Sequence, residues 1–294
     1  MRPFDALIAI FVMIVWGFNF VAAKWGLAHF PPILMMGLRF GLIAILLLPF
    51  AKPPRGKMKP ILLLSVTLGC AHFSMMFTGL RDLDAATVSI AIQTQVPFAA
   101  LLAAIFLGDT LGWRRALGMA VAFSGVVLIA GEPRVGLDGL FPLSLVVGAA
   151  FIWSVANIQI KGLGAVDGFA LNAFLSLFAA PQLFLVSFFL ERGQIPAILE
   201  ADVWAWGSVV YMAVMVTIVS YVMWYRLLRR YPVNVAMPFT LLVPVVGVLS
   251  AVLFLGEPLS WRTIVGGIAT LIGVGIIIVR RPQLPDPEVA SKTT

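Results

Sequence analysis

From residue 5 to residue 280 the chain runs as ten apolar stretches with only a few polar residues between them. A hydrocarbon core about 30 Å thick takes roughly 20 apolar residues of α-helix. The stretches fall at 5–28, 32–51, 59–80, 85–107, 112–130, 141–162, 168–190, 203–227, 233–255 and 260–280. Turn chemistry marks the breaks: Pro31 and Pro32; Pro53, Pro54 and Gly56; Gly131 and Pro133; Pro232. The stretches are too long for barrel strands and lack period-two alternation. Backbone in lipid must satisfy its own hydrogen bonds, so the expected fold class is an all-α integral membrane protein with ten transmembrane helices. Only 11% of the residues are charged, where soluble domains carry about 25%. Much of the surface must therefore face lipid.

One stretch occurs twice. Residues 96–114 read VPFAALLAAIFLGDTLGWR, and residues 243–262 read VPVVGVLSAVLFLGEPLSWR. The polar corners that end them, around Asp109 and Glu257, are 148 positions apart. Trp16, Gly17, Asn19 and Lys24 are likewise echoed by Trp153, Ser154, Asn157 and Lys161. Each half would hold five spans, an odd number, so the second half must enter the membrane inverted. Two inverted five-helix repeats around a central cavity are the signature of secondary transporters. The expected units are residues 1–135, residues 136–281 and a disordered tail over 282–294.

Loop charge orients the chain. With the N-terminus in the cytoplasm, 14 Lys and Arg residues lie on that side and 4 on the other: Arg81, Arg134, Arg192 and Arg262. The positive-inside rule then puts both termini in the cytoplasm. The net charge of +7 is explained by the same loops, so no nucleic-acid partner is expected. Arg2 precedes a long apolar run without a small-residue cleavage site, which reads as an uncleaved first span. The single cysteine, Cys70, has no partner for a disulfide and reads as a packing residue. Nothing fixes the oligomeric state, and a monomer satisfies the pattern.

The tryptophan motif of the first span, Leu38-Arg39-Phe40 in the second and the paired Gly-Asp/Glu-x-Leu-x-Trp-Arg corners resemble the drug/metabolite transporter superfamily. Within it the chain is similar to the ten-helix EamA-type exporters, which include exporters of aromatic amino acids. The likeness covers about residues 5–280. It implies a basket of two inverted repeats in the bacterial inner membrane, with helices five and ten to the outside, and it implies export of small metabolites.

All 13 carboxylates lie in loops or at the ends of the stretches. A proton-coupled exporter of cationic drugs needs an intramembrane carboxylate as counter-ion and proton site, so cationic drugs are not the expected cargo. The interior instead offers His72, which titrates near neutral pH, with Gln93, Asn157 and the rings of Trp16 and Trp153. These five are the expected substrate-binding residues, the rings for a large side chain and the amides for a zwitterion. Gln93 and Gln95 point about 200° apart on a helix, so one of them at most faces a cavity. Asn19, Lys24, Arg39, Pro97, Lys161 and Pro244 are candidates for cavity lining or gating. Bland roles compete: lysines near helix ends snorkel, Arg39 can pair with a helix end, and prolines kink helices for packing.

No phosphate-binding loop, Cys/His metal spacing or nucleophile–base arrangement is present, so no cofactor or metal is expected, and the chain is not expected to be an enzyme. The function expected is secondary export, facilitative or proton-coupled, of aromatic or large neutral amino acids. A different small solute, such as a sugar or nucleotide sugar, remains open, as does a membrane-embedded enzyme or structural subunit.

Overall fold

The structure, a computed structural model, describes residues 1–107, 112–132, 136–164, 166–231 and 233–278. The corner at Asp109 and the tail over 282–294 lie outside these residues. Among the described residues, ten helices are long and apolar enough to cross a membrane: α1 Pro3–Leu27, α2 Pro32–Phe50, α3 Met58–Asp82, α4 Ala85–Phe106, α5 Trp113–Ala130, α6 Gly136–Leu163, α7 Gly168–Leu190, α8 Val203–Arg230, α9 Met237–Leu255 and α10 Trp261–Ile278. The fold is the all-helical, ten-span bundle expected. The largest boundary shifts are at α6, which begins five residues early, and α9, which begins four late. An even number of spans returns the chain to the end where it began. We call that the near end and the opposite one the far end.

The helices pack in sets that the repeat exchanges. α1 packs on α8 and α9, as α6 packs on α3 and α4. α2 faces α7, and α5 faces α10. The last pair shows why these residues lie where they do. A Cβ added at Gly118 would come within 2.7 Å of the Gly273 carbonyl, and one at Gly266 within 2.6 Å of the Gly125 carbonyl. Gly266 and Gly273 lie 148 positions beyond Gly118 and Gly125, so the offset turns one contact into the other. That is the pairing an inverted duplication predicts. In lipid no hydrophobic force draws helices together, and close backbone approach through small residues is what binds them.

Regular α-helix is interrupted at matching places in both halves. Three-ten turns occupy Ile92–Thr94 in α4 and Met237–Leu241 in α9. Each is followed three residues later by a proline, Pro97 or Pro244, inside the first turn of the α-helix that resumes. A proline removes an N–H donor and its ring crowds the preceding turn, so each helix departs from the regular ladder where the three-ten turn lies. Eight-residue π-helical segments occupy Ser65–His72 in α3 and Met212–Val219 in α8, starting 147 positions apart. Segments of this kind are rare and concentrate at functional sites.

Two carboxylates at the far end cap helices of the opposite half. Glu191, after α7, accepts from Ile33 N (2.8 Å) and Leu34 N (2.9 Å) at the start of α2. Glu257, after α9, accepts from Ala85 N (2.7 Å) and Ala86 N (3.0 Å) at the start of α4. Neither α2 nor α4 has a side-chain cap from its own preceding residue, Pro31 or Asp84. The orphan N–H groups and the positive end of the dipole are met from across the molecule instead.

Candidate functional site

The two tryptophans dock alike. Trp16 of α1 lies against the π-helical part of α8, its Nε1–H donating to Val216 O (3.3 Å). Its ring stands 5.6 Å from both Tyr221 and Trp224. Trp153 of α6 lies against the end of the π-helical part of α3, 5.2 Å ring to ring from His72. Each half thus lays its tryptophan on the other half's irregular turn. A π-turn shifts the hydrogen-bond ladder by one residue, and side chains recapture part of it: Thr217 Oγ1 donates to Met212 O (3.1 Å) and Ser220 Oγ to Met215 O (2.7 Å).

His72 is 3% exposed. Its Nδ1–H donates to Ala149 O of α6 (2.8 Å), and its ring meets Phe73 edge-on at 4.8 Å. Phe73 in turn meets Phe40 of α2 at 5.1 Å. The cluster His72, Trp153, Phe73 and Phe40 therefore joins α3, α6 and α2 about half-way across the bundle.

Arg39 lies beside this cluster. The residue is 4% exposed. Its Nη2 donates to Thr217 Oγ1 (3.0 Å) in the π-helical part of α8, and its Cζ lies 5.2 Å from the Phe73 ring centre. It is close enough to His72 and Tyr221 to interact with both electrostatically. Arg39 thus spans the two aromatic clusters. Among the described residues it enters no ion pair, and its Nε is buried without a hydrogen-bond partner. Burying an uncompensated charge costs on the order of several kcal/mol, and cation–π contact returns only about 2.

The remaining candidates divide. Asn157 sits one turn beyond Trp153 and donates its amide to Trp153 O (3.1 Å), so its N–H capacity is partly used within its own helix. Gln93 is buried in the three-ten turn of α4, which packs on α6. Beside it, the Gln95 carbonyl accepts from Ser154 Oγ (2.9 Å). Asn19 is buried with its Oδ1 unpartnered. Lys24 reaches away from the centre, donating to Arg81 O (3.1 Å) at the C-terminal end of α3. There a cation meets free carbonyls and the negative dipole end. Lys161 is exposed at the near end of α6. Pro97 and Pro244 mark the turns described above. The structure therefore brings His72 and Trp153 into contact, places Asn157 one helical turn beyond Trp153, and puts Trp16 in a separate cluster that Arg39 connects.

Sequence reading missed Thr217 and Tyr221. A signal was available: shifting His72 by the 148-residue offset lands on Ser220, just past the π-helical part of α8, one residue before Tyr221 and three after Thr217. Two further amides are tethered: Gln159 Nε2 donates to Thr67 Oγ1 (3.0 Å) and Gln182 Nε2 to Ser65 Oγ (2.8 Å). Their Oε1 atoms are buried and unpartnered.

Known proteins match this arrangement. The sequence model of a family described as "EamA-like transporter family" matches twice, over residues 4–131 and 140–279. A "Probable amino-acid metabolite efflux pump" of Escherichia coli (strain K12) is 31% identical, the alignment covering 92% of this chain and 94% of that protein. A protein of the same description from Salmonella typhimurium is also 31% identical at the same coverage. A "Probable terminal-alkyne amino-acid exporter" of Streptantibioticus cattleyicolor is 27% identical, covering 91% of each chain. A solved crystal structure superposes with a TM-score of 0.64 over 94% of this chain and 96% of its own, at 18% identity, a likeness of fold.

Proposed function

Because the chain belongs to the EamA-like transporter family, and is a multi-pass membrane transporter rather than an enzyme, we propose that it exports amino acids with aromatic or large neutral side chains. The observation that carries this reading is the pair of aromatic clusters about half-way across the bundle, with no carboxylate paired to Arg39 between them among the described residues. Rings of this kind complement an apolar side chain. The buried, unpartnered oxygens of Asn19, Gln159 and Gln182 complement an ammonium group. The names of the Escherichia coli, Salmonella and Streptantibioticus relatives point to the same cargo class. Residues 1–135 and 136–281 are the two moving halves, related by inversion, and transport is alternating access between them. With no interior carboxylate to relay protons and His72 tied to Ala149 O, transport is facilitative, down the substrate's own gradient.

Proteoliposomes loaded with labelled Phe, Trp or Thr test this. Saturable efflux is expected for Phe and Trp, unchanged by an imposed pH gradient. Trp153→Ala is expected to lower it about tenfold or more, since an aromatic pair and its burial are removed at once. Absence of flux for every amino acid would remove the cargo assignment, and efflux that follows the pH gradient would replace facilitation by proton coupling.

Both termini lie in the cytoplasm and the bundle sits in the cytoplasmic membrane, as the charge bias supports. In a Cys70→Ser background, Lys57→Cys is expected to react with an impermeant thiol reagent only from inside, and Gln194→Cys only from outside. The reverse pattern would invert the topology.

A further inference from the structure

We propose that Arg39 binds the carboxylate of the transported molecule. The proposal rests on the amino-acid reading above and sharpens it: the substrate class is carboxylate-bearing, and amines lacking that group are rejected. Arg39 is 4% exposed, lies in the middle of the protein and has no carboxylate partner among the described residues. Its one hydrogen bond is to the Thr217 hydroxyl, two rings lie 5.2 and 5.9 Å from Cζ, and the neighbouring His72 and Tyr221 bring no negative charge. Rings offset the charge but give a guanidinium no in-plane acceptor, and the buried Nε–H has none. A guanidinium carries five N–H donors in a flat fork that fits the two oxygens of a carboxylate. A structural arginine in such a place would be expected to find its acceptors within the fold.

The position explains how one group serves both halves. Arg39 comes from α2 of the first half and donates to Thr217 in the second half's π-helical turn, while its Cζ lies 5.2 Å from Phe73, which leads through His72 to Trp153. A carboxylate on Arg39 would set the attached side chain among these rings. It would also reach Arg39 only once the halves part. A free ammonium without a carboxylate meets an unmatched positive charge there, and discrimination by repulsion follows.

Thermal unfolding of the purified full chain is to be followed while titrating L-phenylalanine, 3-phenylpropanoate and phenethylamine, which share the ring and differ in the charged groups. Ligand that binds the folded state raises its unfolding temperature. Phenylalanine and phenylpropanoate are expected to stabilise the protein, phenethylamine at least about tenfold more weakly, as the loss of a charge-assisted pair requires. Arg39→Gln is expected to erase that preference and Arg39→Lys to keep part of it. Equal stabilisation by phenylalanine and phenethylamine in the wild type would overturn the role of Arg39 and leave amino-acid transport standing. So would phenylalanine binding that survives Arg39→Gln unchanged. Stabilisation by phenylpropanoate alone, lost in Arg39→Gln, would keep the carboxylate site and remove the amino-acid reading. No stabilisation by any of the three would overturn both. The wild-type comparison decides the matter even where Arg39→Gln does not fold.

Discussion

Replacing Gly125 by alanine, in the seam between α5 and α10, is expected to lower the unfolding temperature by several degrees. The added carbon would meet the Gly266 carbonyl and Thr270 on the facing helix. Backbone cannot rotate aside as a side chain can, so the helices must separate along their seam. Overpacking in a tight interior costs about 1–3 kcal/mol. Here the cost has no hydrophobic return, because the surface exposed by separation faces lipid as readily as protein. Leucine at the same position is expected to yield no monodisperse protein on size-exclusion chromatography. Gly207→Ala in α8 is the control, since its Cβ would enter open space. Tryptophan-fluorescence melts of the two alanine variants settle the matter: equal unfolding temperatures would mean that the glycine seam does not hold α5 to α10.

Glu257→Ala is expected to open the far end. The carboxylate holds two N–H groups of α4 from the end of α9, each a charge-assisted bond worth about 1.5–3 kcal/mol. Glu191 does the same between α7 and α2, with Ser187 Oγ as a further donor (2.7 Å). Both links join one half to the other, and a far end that opens must break them. Removing one shifts the balance between closed and open forms by the energy it contributed only to the closed form. A bias of about 2 kcal/mol changes that ratio roughly thirtyfold. In the Cys70→Ser background, a cysteine in place of Ala23, which is fully buried on α1, reports the change. A thiol reagent applied from the far side is expected to react with it at least tenfold faster once Glu257 is alanine. An unchanged rate would mean that the caps secure helix ends without gating the passage.

The ten spans were legible because lipid leaves so little choice: apolar length, proline breaks and the paired corners with Glu257 suffice. Glu257 was legible as a corner residue, but the helix it caps, α4, lies across the molecule and could not be read from local spacing. The site was less legible, for an identifiable reason. Whether a polar residue inside a span faces the passage depends on helix rotation, and the π-helical turns rotate everything after them. Thr217 and Tyr221 are set by such a turn, which has no residue signature of its own. Asn157 and Lys24 show the other limit. Their side chains are spent on Trp153 O and Arg81 O, and a carbonyl acceptor is present at every position of a sequence. Arg39 stood out as a charge within a span, but only the lack of an acid paired with it among the described residues distinguishes a waiting cation from a paired one.

The exchange of glycine contacts has a consequence for how such a chain can vary. Cut at its centre, a seam in which Gly118 meets Gly273 and Gly125 meets Gly266 is an isologous dimer interface, one surface used twice. In an undivided five-helix gene, a substitution there strikes both contacts at once. In the joined chain it strikes one, and the other still holds. Equivalent positions are then free to take different chemistry, as at Ala122 and Thr270, 148 residues apart. The threonine hydroxyl donates to Gly266 O (2.8 Å) and lies 3.4 Å from Ala122 O, a link between the helices that two identical surfaces of alanine would lack.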